Sequence, residues 1–372
     1  MMTDSISLAR LSATQAAAAI REGSLTSRAL VQSCLDRIAE RDAVVRAWAW
    51  LDADGALDAA DRADSCEPTG PLHGVPVGIK DVIETADMPT QFGSQAFEGN
   101  RTGRDARCVE RLRDAGAIMM GKLVTAEFAT YSPGPTANPV NPAHTPGGSS
   151  SGSAAAVADF QVPLALGTQT AGSMIRPASF CGINALKPSF GRYPTDRVLA
   201  TAHRLDTIGI FARSVDDLAL ADAVLASDAG DAARTDVPTR IGIFRGTTWA
   251  QASAAMQGVL LLAAERLAAA GIPVCDITPP APFDRLADAQ ALIHKREAWS
   301  CMGAIRREHD GKVGQAFRDF IDAGEATDPA ARRRWTYAEL LADAERTARA
   351  LLDCFKPGDH IAIWGGNCAE WV

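Results

Sequence analysis

Residues 147–166 read Gly147-Gly148-Ser149-Ser150-Ser151-Gly152-Ser153-Ala154-Ala155-Ala156-Val157-Ala158-Asp159-Phe160-Gln161-Val162-Pro163-Leu164-Ala165-Leu166: a glycine-serine loop, an alanine-rich helix start and a short apolar strand. The whole stretch from Pro133 to Ser153 is too dense in Pro, Gly and Ser for helix or strand. Such composition alone also suits a linker between domains. Here a helix start and a strand follow at once, so the loop lies inside an α/β core, where long irregular loops tend to be functional.

Outward from this stretch the same alternation continues. Short apolar runs at Val75-Pro76-Val77-Gly78-Ile79, Ala117-Ile118-Met119-Met120, Val162 to Leu166, Ile241-Gly242-Ile243-Phe244 and Ile272-Pro273-Val274 are separated by segments of helical pattern. This predicts an α/β fold with a mixed, mostly parallel central sheet covered by helices. Before it, Thr14 to Ile20 and the segment with Val31, Leu35 and Ile38 read as helices, the second with Ser24 and Thr26 as capping candidates. Val259 to Ala270, free of Gly and Pro, reads as a helix between two strands. No internal repeat is found.

A chain of 372 residues can bury a core that holds polar catalytic groups away from water. It is 47% hydrophobic and 22% charged, as soluble globular proteins are, and has no apolar run long enough to span a bilayer. Its N-terminus carries Asp4 where a secretory signal has lysines, which predicts a cytoplasmic protein. The net charge of -8 is spread without blocks, which argues against nucleic acid or a membrane as partner. The eight cysteines form no CxxC pair and the six histidines no HExxH spacing, so no metal is expected and the cysteines read mostly as small buried side chains.

Chemistry concentrates in two serine-glycine clusters and one lysine. The clusters are Gly147 to Ser153 and Gly167-Thr168-Gln169-Thr170-Ala171-Gly172-Ser173-Met174-Ile175-Arg176-Pro177; the lysine ends Gly74-Val75-Pro76-Val77-Gly78-Ile79-Lys80-Asp81. All three resemble motifs of the amidase signature family, in the family's order. Gly121-Lys122, Leu186-Lys187-Pro188 with Gly191-Arg192, and Asp206-Thr207-Ile208-Gly209 with Ala212 to Asp217 match further, so the resemblance covers residues 5–325.

The resemblance implies hydrolysis of a small carboxylic amide, without cofactor, through an acyl-enzyme on Ser173. Ser149 would be the bridging serine, held by a cis peptide, and Lys80 the base. The backbone N–H groups of Thr170, Ala171, Gly172 and Ser173 would form the oxyanion hole. Arg176, three residues after Ser173, resembles the malonamidase-like branch, where that arginine holds a substrate carboxylate. A homodimer is compatible with the resemblance. Lys80 can take a proton only when neutral, so burial must depress its pKa by ~3 units, about 4 kcal/mol of differential solvation.

Two other readings compete. Gly148-Ser149-Ser150-Ser151-Gly152 also fits the GxSxG elbow of a serine esterase with Ser150 as nucleophile, but the proline-rich segment before it does not read as the strand an elbow needs. A catalytically impaired amidase-like protein is the other. Ala171 stands where the family usually has glycine, and a positive φ there would cost ~1 kcal/mol or more. Gln169 stands where many members carry Asp, as in the malonamidase-like branch. After Thr327 the resemblance ends. Residues 328–372 are similar to the N-terminal part of adenylate-forming acyl ligases, without their phosphate loop, and predict one helix and one strand within 335–364. The expected domains are thus 1–327, lacking its usual last section, and 328–372.

Overall fold

The three apolar runs around Val77, Met119 and Leu164 become adjacent strands at the middle of a six-stranded sheet. The structure is a computed structural model that describes residues 8–226, 240–246, 249–277 and 286–327. Its strands are β1 (Trp48–Leu51), β2 (Pro76–Lys80), β3 (Ile118–Leu123), β4 (Leu164–Gln169), β5 (Asn184–Leu186) and β6 (Thr207–Ala212), in the order β1-β3-β2-β4-β6-β5. β2 pairs in parallel with β3 and β4, and the outer pairings are antiparallel. The expected mixed α/β sheet is present: β2, β3, β4 and β5 share one direction, and β1 and β6 oppose it.

Every residue of β2 and β3 is buried, which is why these strands read as continuous apolar runs. Alternation sends Leu164 and Leu166 into one apolar cluster, with Val77, Ile79 and Phe128. Ala165 goes into the other, with Met120, Phe211 and Ala154 to Val157. The helix Ser151–Ala158 lies in the second cluster, and only small residues permit its approach: a Cβ on Gly152 would stand 2.3 Å from Ala47 O and 2.5 Å from Val124 N.

The expected N-terminal helices are Ala13–Arg21 and Ser27–Val45. Of the two capping candidates Thr26 serves, its hydroxyl accepting from Ala29 N at 3.1 Å, while Ser24 Oγ donates to Ala19 O.

The chain divides into two compact units, the larger lying in residues 1–232 and 294–326. The smaller contains a parallel pair, β7 (Ile241–Ile243) and β8 (Val274–Asp276), with the expected helix between them at Ala254–Ala269. Ser253 caps that helix. The segment 328–372, with its expected helix and strand, lies outside the described residues. Among the described residues no helix is long and apolar enough to cross a membrane.

Candidate active site

Lys80 closes β2, and its aliphatic stem runs through the core to a fully buried amine. Because β2 lies beside β4 with Ile79 opposite Leu166, the lysine emerges next to Thr168. Its Nζ donates to Thr168 Oγ1 at 2.8 Å and to Ser149 Oγ at 2.9 Å. Burial lowers its pKa to about 7, against the negative charge of Asp206, which raises it. Near neutral pH much of the amine is therefore uncharged, the state a base requires.

Ser149 follows a cis peptide from Gly148, and its backbone oxygen accepts from Ala126 N at 3.0 Å. The neighbouring hydroxyls are committed elsewhere. Ser150 Oγ donates to Thr168 O at 3.1 Å, Ser151 Oγ to Val124 O at 3.3 Å and Ser153 Oγ to Leu166 O at 2.9 Å. These three tie the loop to the sheet, leaving Ser149 as the serine of the cluster that meets the lysine. Ser150 is wholly buried, and residues 131–150 contain neither helix nor strand, so the elbow of the esterase reading lacks the strand that would support it.

Ser173 sits in the turn between β4 and the helix Ile175–Cys181 and is 9% exposed. Gln169 Oε1 accepts from Met174 N at 2.9 Å and from Ile175 N at 3.2 Å, so the amide side chain in place of Asp holds the far side of this turn. Ala171 does not adopt positive φ, and the conformational cost foreseen for its methyl does not arise. Among the described residues Ser173 Oγ makes no hydrogen bond, to Ser149 or otherwise. The structure therefore joins Lys80 to Ser149 and places Ser173 on the adjoining turn.

Arg176 Nε and Nη2 donate to Gly148 O at 3.1 and 2.7 Å, which sets the guanidinium against the peptide preceding Ser149. A second buried lysine, Lys122, donates from Nζ to Ile83 O at 2.6 Å and Thr90 Oγ1 at 2.7 Å, and stands 3.7 Å from Asp81 Oδ1. It fastens the chain beyond Lys80 to β3, and burial lowers its pKa to about 8. Thr168 and Asp206 have no role in the sequence reading. Their contacts depend on strand register, which no local motif encodes.

Among the described residues no group of three His, Cys, Asp or Glu could hold a metal ion. Cys34, Cys108 and Cys181 are buried, and burial pushes each thiol up to about 12.

A buried lysine thus bonds a serine of the Gly-Ser loop, with the small-residue turn that bears Ser173 alongside. The chain belongs to the amidase family, whose profile matches residues 29–360. It is similar to a crystallised amidase, with a TM-score of 0.83 and 26% identity over 96% of this chain and 84% of that one. It is also similar to the peptide amidase of Stenotrophomonas maltophilia, with a TM-score of 0.77 and 30% identity over 88% of this chain and 78% of that one. A glutamyl-tRNA(Gln) amidotransferase subunit of Thermobifida fusca is 45% identical over 223 residues, 57% of this chain and 45% of the relative. The match thus spans about half the length of such curated relatives.

Proposed function

We propose that the chain hydrolyses a small carboxylic amide to its acid and ammonia or an amine, through an acyl-enzyme on Ser173. One observation carries the reading: a fully buried amine, held partly neutral by its burial, bonded at 2.9 Å to Ser149 Oγ. Neutral Lys80 takes the Ser149 proton as Ser149 takes that of Ser173, and Ser173 Oγ adds to the amide carbon. The negative charge that develops on the amide oxygen meets the N–H groups of Thr170, Ala171, Gly172 and Ser173. Ser149 then gives a proton to the leaving nitrogen and is reprotonated from the Lys80 ammonium, and the C–N bond breaks. Water, deprotonated along the same route, releases the acid and restores Ser173. No cofactor enters these steps.

Arg176 is assigned a substrate carboxylate, which would share the guanidinium with Gly148 O. A second reading is favoured by the 45% identity to a component of an amidotransferase: the same Ser173 chemistry could feed ammonia to a partner protein.

The test is ammonia release from a panel of small amides, with and without a second carboxylate, by the chain alone and by Ser173→Ala. Release that depends on Ser173 supports hydrolysis. Release unchanged by the substitution overturns it, and Ser173 reactive but idle toward every amide favours the partner-dependent reading.

A further inference from the structure

In the pairing of β4 with β6, Gln169 lies opposite Thr207, so Thr170 and Asp206 leave the sheet side by side. Thr170 Oγ1 donates to Asp206 Oδ1 at 2.6 Å. The other carboxylate oxygen, Oδ2, accepts from Thr201 N at 2.7 Å and Ala202 N at 2.8 Å. One oxygen thus holds the turn that leads to Ser173, and the other anchors that turn to the loop before β6. A cavity of about 60 Å³ on this side is lined by Thr168, Thr170, Thr201, His203 and Asp206 among others. Thr168, two residues before Thr170, also accepts from the Lys80 amine at 2.8 Å, and the Asp206 charge acts on that amine.

We propose that Asp206 is a positioning residue for amide hydrolysis, holding the Thr170–Ser173 turn through Thr170 and placing a negative charge behind Lys80. This rests on the reading of Ser173, Ser149 and Lys80 as the hydrolytic groups. The two duties serve one reaction. A base must accept a proton and later return it, and an amine buried without a nearby carboxylate would hold that proton too weakly. A carboxylate in direct contact would hold it too strongly; here the Asp206 carboxylate bonds Thr170 while the Lys80 amine bonds Thr168 and Ser149.

Asp206 acts on Lys80 from the start of β6, and His203 stands beside Asp206 on the same loop. From the helix Leu286–Glu308, Cys301 faces Asp206, and Glu297 is 3.4 Å from Arg204. Burial raises the Asp206 pKa, and the three donors, from Thr170, Ala202 and Thr201, act against that rise by favouring the carboxylate.

The test is the rate at which a fluorophosphonate labels Ser173 in the full chain as a function of pH, with folding followed by circular dichroism. In the unsubstituted protein the rate should rise along one ionisation near that of Lys80. Asp206→Asn removes the charge, so the midpoint should fall by about one pH unit. Thr170→Val keeps the charge and removes the hydrogen bond, so the plateau rate should fall on the order of tenfold with the midpoint unmoved. An unchanged midpoint in a folded Asp206→Asn variant overturns the proposal, and so does an unchanged plateau in Thr170→Val, which remains decisive if Asp206→Asn does not fold. Failure of Ser173 to react in the unsubstituted protein would instead overturn the reading beneath it.

Discussion

Lys80 Nζ and Ser149 Oγ, 69 residues apart in sequence, meet at 2.9 Å in the interior. Their meeting requires β2 beside β4 and the serine loop pinned to Val124, the residue after β3, and to β4 by Ser151 and Ser153. With burial lowering Lys80 to about 7, amide hydrolysis should rise with pH through that value as the ammonium loses its proton. Lys80→Met should reduce kcat by roughly two to four orders of magnitude. A pH–rate profile that is flat between about 5 and 9, or a Met variant with full turnover, would refute the assignment.

The same lysine should weaken the fold. Its folded pKa lies below its unfolded value, so between about 7 and 10.5 the unfolded chain binds more protons and stability rises with pH; below 7 the full cost is present. A depression from 10.5 to about 7 corresponds to a cost on the order of 4 kcal/mol near neutral pH. The hydrogen bonds to Ser149 and Thr168 return about 1 kcal/mol each. Desolvation wins, so Lys80→Met should melt a few degrees higher than the parent at about pH 7, with the difference closing towards about pH 10. Calorimetry at several pH values measures it, and a lower melting temperature for the Met variant at neutral pH would refute it.

Serine-directed labelling separates the two serine readings. A fluorophosphonate should modify Ser173 and leave Ser150, whose hydroxyl is wholly buried and bonded to the backbone of Thr168. Ser150→Ala should retain labelling at Ser173 and lose about 1 kcal/mol of stability. Peptide mapping that finds the label on Ser150 would restore the esterase reading.

The central strands were legible because burial on both faces makes them continuous apolar runs. β6 is equally buried and, like β2, β3 and β4, carries a glycine; Gly209 is needed because a Cβ there would meet Leu186 O at 2.6 Å. β1 and β5 lie at the sheet edges and are short and partly exposed, so they carry little pattern. At the site, Lys80, Ser149 and Ser173 stood out by motif, whereas local chemistry alone left Ser149, Ser150 and Ser151 equivalent. Only the destinations of their hydroxyls, set by the depth of the loop against β3 and β4, tell them apart.

Arg176 separates two effects in one substitution. Loss of its bonds to Gly148 O should lower kcat on every amide, because the peptide before Ser149 loses its donors. Loss of a carboxylate contact should raise KM further on acidic amides only, by about tenfold. Steady-state kinetics of Arg176→Ala on matched acidic and neutral amides resolve the two. Equal losses on both would leave Arg176 no part in substrate selection.

Gly152 sets how closely the serine loop can approach the sheet. All the nearest atoms a Cβ would meet are backbone: Ala47 O at 2.3 Å, Val124 N at 2.5 Å and Val124 O at 3.0 Å. No side chain can swing aside, so in Gly152→Ala the start of the Ser151–Ala158 helix must move away from β3. That shift strains the bond from Gly152 N to Val124 O and carries Ser149, three residues earlier, away from Lys80. The cost of such overpacking is about 1–3 kcal/mol, and a displacement of even ~1 Å at a catalytic group can cost about 10²-fold in rate. Gly258→Ala is the control, since Gly258 lies within the helix Ala254–Ala269 with nothing near its Cβ position, and alanine there should stabilise by about 0.5–1 kcal/mol. Gly152→Ala should therefore both melt lower and label more slowly at Ser173, while Gly258→Ala keeps the parental labelling rate. Parental labelling in Gly152→Ala would show that the loop can recede without moving Ser149, and that the tight approach serves the fold and not the site.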